Sequence, residues 1–278
     1  MVSRRPWRSR CASLLTGLAL IAGASVTSGH IPTARADERN LVAFGDSVLA
    51  DPDVGTYLAH RFDPNGSVGV NCPTSNNYAK RAGAKLGLVV RDFSCAGMAT
   101  MSPGPQLSQQ IDQALGSGAL NSETNRVVLS AGFNDTYNHL DWDMQSMRDH
   151  FVGANRPQID RIRAAAPHAR IQIVGYPTIG SNGTYCLIHA GGRAWDATYM
   201  PWVQDWENKA QWMQVDLAVA TGTEFVDAKP STADAGQCGA DDVRKYAGLV
   251  DFDAGAGNLP IHVNERGHEH LANLVAGS

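Results

Sequence analysis

Leu41-Val42-Ala43-Phe44-Gly45-Asp46-Ser47 is the stretch on which the reading of this chain turns. Four apolar residues in succession, closed by a glycine, have the pattern of a short strand buried on both faces. The run stops at a serine preceded by an acid and a glycine. In an open α/β sheet that spot is the carboxyl end of a strand, where ligands and reactive side chains gather. A serine hydroxyl is a weak nucleophile at its free pKa. Its importance therefore depends on whether the chain also supplies a base and donors for an oxyanion.

Working outward from this strand, short β-branched runs alternate with helical patterns. Strands are expected at Leu41–Gly45, Leu88–Phe93, Arg126–Ser130, Arg170–Gly175 and Glu224–Asp227. Helices are expected at Asn77–Leu86, Leu107–Leu115, Met147–Ala166 and Val203–Ala220. A last one is expected at Glu265–Val275, with Asn264 as its N-cap. Strand-helix alternation predicts an α/β fold: a three-layer α/β/α sandwich around a central five-stranded parallel sheet, in a flavodoxin-like order. The stretches Ser181–Pro201 and Ser231–Pro260 read as long loops, rich in glycine.

The first 36 residues stand apart. Arg4, Arg5, Arg8 and Arg10 precede a mostly apolar run from Leu14 to Val26, and Ala34-Arg35-Ala36 fits a small-x-small cleavage site. The run is shorter than the ~20 residues a spanning helix needs. Residues 1–36 are thus expected to be a signal peptide and 37–278 one domain, secreted or held at the cell wall. Ser3-Arg4-Arg5-Pro6-Trp7 is a weak hint of twin-arginine export. Removing five arginines and no acid takes Lys+Arg from 23 to 18 against 27 Asp+Glu, a net charge of −9. Such a surface speaks against nucleic acid and against docking on anionic lipid. Cys11 leaves with the leader. Cys72, Cys95, Cys186 and Cys238 remain, an even number in an oxidising compartment. Of three possible pairings, Cys72–Cys95 with Cys186–Cys238 is favoured because each closes a loop within one half of the chain.

Candidate partners for Ser47 stand at the ends of other elements. Ser94-Cys95-Ala96-Gly97 follows the second strand, and a glycine there lets backbone approach a substrate. Gly132-Phe133-Asn134-Asp135 follows the third and offers a side-chain amide. Ile261-His262-Val263-Asn264-Glu265-Arg266-Gly267-His268 precedes the last helix, and His262 is placed to swing over the sheet edge.

These blocks, in this order, resemble the SGNH hydrolases, also called GDSL-type lipases and esterases. The resemblance spans Phe44-Gly45-Asp46-Ser47, Cys95-Ala96-Gly97, Gly132-Phe133-Asn134-Asp135 and His262 with Asn264 and Gly267-His268, nearly the whole mature chain. Each motif alone is weak; four in order at strand or helix boundaries are specific. The leader and the cysteines look like the secreted actinobacterial branch. No G-x-S-x-G is present, which separates the chain from nucleophile-elbow hydrolases. The resemblance implies Ser47 as nucleophile, His262 as base, and the Ser47 N–H, the Gly97 N–H and the Asn134 side chain as oxyanion hole. Many members carry an Asp three residues before the histidine. Here that position is Leu259, preceded by Asn258, so a Ser–His dyad oriented by the Leu259 carbonyl is expected, with Asp251 or Asp253 as the carboxylate alternative.

Plainer readings stand beside these. Ser47 could be an N-cap only, and Asn134 could tie a turn with Asp135 as its structural partner. Asp46 is expected to be a structural hydrogen-bonder. His268 and His270 read as helix-surface or packing residues, since a metal cluster with His262 lacks a third-ligand spacing and a carboxylate. Asp251-Phe252-Asp253-Ala254-Gly255 lacks the offsets of a calcium loop. Trp202, Trp206 and Trp212 lie on or beside one helix. Trp206, Met213 and Leu217 recur at near-helical spacing, which favours core over an acyl-chain wall. The function expected is hydrolysis of small-molecule or lipid carboxylic esters by a monomer, without cofactor or metal, without nucleic acid and without membrane insertion. The alternatives are a polysaccharide O-deacetylase on the same site and a non-catalytic lipid- or carbohydrate-binding protein.

Overall fold

The computed structural model describes residues 39–63, 66–194, 196–252 and 259–278. The leader, Asp253 and Asn258 lie outside the described residues. In chain order the elements begin with β1 (Asn40–Gly45), α1 (Ser47–Ala50), α2 (Val54–Arg61), α3 (Tyr78–Leu86), β2 (Val89–Asp92) and α4 (Leu107–Gly116). There follow β3 (Thr124–Ser130), α5 (Phe133–Thr136), α6 (Met144–Ala165), β4 (Arg170–Val174), and the two-residue strands β5 (Thr184–Tyr185), β6 (Ile188–His189) and β7 (Thr198–Tyr199). The chain ends with α7 (Pro201–Thr221), β8 (Glu224–Val226), β9 (Val250–Asp251) and α8 (Glu265–Gly277).

The main sheet has five strands in the order β2-β1-β3-β4-β8, every pairing parallel. Every residue of β1 is buried, which accounts for its unbroken apolar run. In register, Leu41 faces Val90 and Arg126, and Gly45 faces Ser130. Helices α3 and α8 pack together on one side, while α4, α6 and α7 form a continuous layer on the other. Right-handed crossovers require this distribution when the chain moves from β1 to β2 and then back across the sheet to β3. The reversal leaves a crevice between the carboxyl ends of β1 and β3. This is the α/β architecture with a five-stranded parallel sheet that the sequence predicts.

The difference from the sequence reading lies in short elements. Helices α1 and α5 have four residues each, too few to show a period, and α2 buries none of its residues. Among the described residues, the strands of the two long loop regions have two residues each: β5 pairs with β7, and β6 reaches across to β9. The Cys186–Cys238 disulfide, spanning 52 positions, joins the same two regions. Among the described residues no helix is long and apolar enough to cross a membrane.

Candidate active site

Ser47 is the first residue of α1, immediately beyond β1. Asp46 is the N-cap: its Oδ1 accepts from Val48 N–H at 2.9 Å. That leaves the Ser47 N–H, one of the amides with no acceptor inside the helix, to face a ligand. The approach to Ser47 is fixed from several sides. Gln110, fully buried on α4, uses its side-chain amide as a peptide surrogate, accepting from Gly45 N–H and donating to Gly45 carbonyl, both at 2.9 Å. A side chain at Gly45 would press on Leu49 at 2.8 Å and on the Ser130 carbonyl at 2.9 Å, so glycine is required there by packing.

Asp46 is wholly buried, and its other oxygen accepts from the Tyr176 hydroxyl at 2.5 Å. The Tyr176 oxygen in turn accepts from Phe133 N–H at 3.1 Å. One hydrogen-bonded chain thus ties together the loops that follow β1, β3 and β4. Loss of hydration pushes the Asp46 carboxyl up to about 7, against the lowering effect of the Tyr176 and Val48 hydrogen bonds. The folded protein therefore holds this proton more tightly than the unfolded chain. The stabilisation is complete below the unfolded value of 3.8 and is lost as pH rises through about 7. Asp46→Asn, neutral throughout, should abolish this dependence. Its melting temperature relative to the parent should rise between pH 5 and pH 8, by an amount reflecting a few kcal/mol. A difference that stays constant with pH would show that Asp46 ionises as an exposed carboxylate does.

The donors come from two further loops. Gly97 has φ +82°, a left-handed conformation that favours glycine, although a Cβ there would meet nothing within 4 Å. The Cys72–Cys95 disulfide anchors the chain two residues earlier. Among the described residues, the Gly97 N–H donates to no protein acceptor. The Asn134 amide is held at both ends: Nδ2 donates to the Met98 carbonyl at 2.7 Å, and Oδ1 accepts from the Tyr137 hydroxyl at 2.6 Å. These two bonds fix which way the amide faces and leave one N–H for a substrate. The Asp135 N–H closes its own turn on the Gly132 carbonyl at 3.1 Å, but its side chain bonds elsewhere. It is buried and accepts from Thr100 N–H, Met101 N–H and the Ser102 hydroxyl, holding the loop just beyond Gly97.

His262 is half-buried, and its Nδ1 lies 2.8 Å from the Pro260 carbonyl. A carbonyl only accepts, so Nδ1 carries the proton and Nε2 keeps its lone pair. This corrects the expected orienter, the carbonyl of Leu259, by one residue. The reason is local. Ile261 has φ +54°, an unusual conformation for a β-branched residue, and this turn brings the ring back to the carbonyl two positions earlier. The turn is held by Ile261 N–H to Gly248 carbonyl at 2.9 Å and Ala247 N–H to His262 carbonyl at 2.7 Å. Leu259 itself is buried, with its side chain against the cleft. Asp251 instead accepts from Arg244 at 2.9 and 3.1 Å and from Gly248 N–H. Burial holds His262 below the ordinary imidazole value of 6.5, against the raising effect of the Pro260 carbonyl and Asp51.

Ser47, Gly97, Asn134, Leu259 and His262 all line one cleft of about 300 Å³, walled by Tyr57, Phe133, Tyr137 and Tyr246. The other histidines do not join it. His268 is buried and bonds Asp51 at 2.8 Å, while its Nδ1 accepts from Tyr78 N–H at 3.3 Å. His270 meets the Ser231 hydroxyl at 2.8 Å. Among the described residues no three metal-ligating side chains converge. Met213 and Leu217 are core, as their spacing predicts, whereas Trp206 is half-buried and Trp202 is exposed.

Gln110 and Tyr176 escaped the sequence reading. Gln110 had a signal, a polar residue inside the apolar stripe Leu107, Ile111 and Ala114. Tyr176 stands just beyond the carboxyl end of β4, as the other site residues stand beyond β1, β2 and β3.

Comparison with known proteins bears on the fold and the family. No curated protein matches the chain in sequence. An extracellular lipase from Streptomyces rimosus superposes with TM-score 0.51 at 18% identity, covering 86% of this chain and 98% of that one. A phospholipase A1 from Streptomyces albidoflavus gives 0.52 at 17% identity, covering 86% and 98%. A family 2 carbohydrate esterase with a carbohydrate-binding domain, from Corynascus thermopiles, gives 0.51 at 14%, covering 89% and 67%. These likenesses establish a shared fold. The model of the GDSL-like lipase/acylhydrolase family matches residues 43–270, from within the β1 run to the last helix, and the chain belongs to that family of hydrolases.

Proposed function

We propose that the protein is an exported serine esterase that cleaves carboxylic esters through a Ser47–His262 dyad. The observation that carries this reading is the Nδ1 bond of His262 to the Pro260 carbonyl, in the same cleft as Ser47 and the fixed Asn134 amide. The bond selects the tautomer a general base needs. Ser47 Oγ attacks the ester carbonyl carbon, and His262 Nε2 takes its proton. The Ser47 N–H, the Gly97 N–H and the free Asn134 N–H hold the tetrahedral oxyanion. Collapse expels the alcohol with the proton from His262. Water then repeats the sequence on the acyl-enzyme. A neutral carbonyl steadies the imidazolium less than a carboxylate would, so catalysis leans on the oxyanion donors and on the fixed ring.

Residues 1–36 serve as the export signal and 37–278 as a single monomeric domain, consistent with the two disulfides. The substrate is a small-molecule or lipid ester. Hydrolysis of p-nitrophenyl acetate tests the assignment together with Asn134→Ala. Loss of this one oxyanion donor should lower kcat by about 10²- to 10³-fold with little change in KM. An unchanged kcat would remove Asn134 from the oxyanion hole.

A further inference from the structure

Arg244 carries a guanidinium that is fully buried, and it does not line the cleft. One arm bonds Asp241, and the other donates to both oxygens of Asp251 at 2.9 and 3.1 Å. A buried ion pair adds little net stability, because stripping water from two charges offsets their attraction. What a planar fork of donors does supply is direction. Here the direction leads to the base. Asp251 also accepts from Gly248 N–H at 2.9 Å, and the carbonyl of that same glycine accepts from Ile261 N–H at 2.9 Å. The neighbouring Ala247 is gripped likewise. Its N–H donates to the His262 carbonyl at 2.7 Å, and its own carbonyl accepts from the buried Gln237 amide at 2.9 Å. Beyond His262, Asn264 donates from its backbone to the Lys245 carbonyl at 3.1 Å and from its side chain to the Arg244 carbonyl at 2.7 Å. Residues 244–248 thus form a backbone rail to which the chain is bonded on both sides of His262.

We infer that Arg244 and Asp251 are positioning residues for His262: their ion pair sets the rail, and the rail holds the Ile261 turn that brings Nδ1 to the Pro260 carbonyl. The inference rests on the esterase reading above and adds to its machinery two residues that do not touch substrate. The turn needs holding. Ile261 sits at φ +54°, where a β-branched side chain is rarely found, so this segment would relax if its partners were free to move. The rail is itself seated against a neighbouring loop. A Cβ on Gly248 would come within 2.7 Å of the Leu187 carbonyl, so the two backbones are in close contact there. Strand β9 pairs Asp251 with His189 of β6, which fixes the backbone that carries the carboxylate. Relaxation of the Ile261 turn would free the ring to rotate or to take the other tautomer, with Nε2 protonated and unable to accept from Ser47. Asp251 therefore serves the base at a distance, through Gly248 and Ile261, and not against the ring.

The test uses the full chain carrying Asp251→Asn or Arg244→Lys. Asp251→Asn keeps one acceptor oxygen and cannot bond Arg244 and Gly248 as the carboxylate does; Arg244→Lys keeps the charge but loses the fork. Each should lower kcat for p-nitrophenyl acetate by about 10- to 100-fold, the scale of a small misplacement, with KM nearly unchanged. Nuclear magnetic resonance of isotope-labelled histidine, with His262→Ala to assign the signals, reads the ring directly. At a pH above the ordinary imidazole value of 6.5, the parent should hold His262 in the Nδ1–H form and each variant should show a mixture of tautomers. Ile261→Asn introduces a residue that adopts the left-handed turn more readily, so in that background Asp251→Asn should lower kcat by a smaller factor. Parental kcat in either folded variant, a KM effect in place of a kcat effect, an unchanged tautomer, or equal losses in both backgrounds would overturn the inference. If Asp251→Asn does not fold, Arg244→Lys, with the buried charge kept, decides by the same readings. A parent that hydrolyses no ester would defeat the esterase reading alone, since the tautomer comparison needs no turnover.

Discussion

Ser47→Ala should abolish ester hydrolysis, with kcat falling on the order of a millionfold, the scale seen when a serine-histidine site loses its nucleophile. The fold should survive the change. The Ser47 hydroxyl makes no hydrogen bond among the described residues, and the cap of α1 is made by Asp46. The buried network of Gln110, Gly45, Asp46 and Tyr176 is untouched by loss of one oxygen. Thermal unfolding should therefore move little, within about 0.5 kcal/mol. A phosphonate ester that labels nucleophilic serines should modify the parent at Ser47 and leave the variant unmodified. Turnover that persists in the variant would displace the nucleophile to another residue.

His262→Ala should cost a loss of the same order, and the double variant with Ser47→Ala should be no worse than either alone, because nucleophile and base act as a unit. The parent should also show a pH dependence set by this ring. The base works only when neutral, and burial holds its pKa below 6.5. As pH falls through that lowered value the imidazole takes a proton and kcat/KM drops, so the acid limb should have its midpoint below 6.5. The same sign applies to stability. The neutral ring is favoured in the folded state, so its contribution is present above the unfolded value and is lost as pH falls through the folded one. An acid limb centred above the ordinary value would mean that a carboxylate faces His262, contrary to the Pro260 contact.

Most residues that line the candidate cleft were legible before the fold. Ser47 and Asn134 stand where a strand gives way to a helix, His262 just before the last helix and Gly97 in the loop after β2, and such places leave marks in sequence: an apolar run that stops, a glycine, an N-cap asparagine. The group that orients His262 was not legible. It depends on φ at Ile261, and a β-branched residue argues against the left-handed turn that occurs there. The contacts of Gln110 with Gly45 and of Tyr176 with Asp46 bridge 65 and 130 positions, beyond the reach of any local pattern. The reading of Trp206 as core was half right. Helical spacing places a residue on a face, but whether that face is covered depends on what packs against it.

Short-range chemistry is written along the chain. β-branched runs make strands, 3.6-residue periods make helices, and their alternation selects the parallel sheet with Ser47 at its carboxyl edge. Which carbonyl meets His262, which way the Asn134 amide faces, how far the Asp46 carboxyl is pushed up and which aromatic rings stay open along α7 were decided only by the tertiary structure. Most depend on burial and on partners distant in sequence, and even the short-range contact of His262 with Pro260 needs the Ile261 turn that Ala247 and Gly248 hold. Such contacts exist only once the chain has packed.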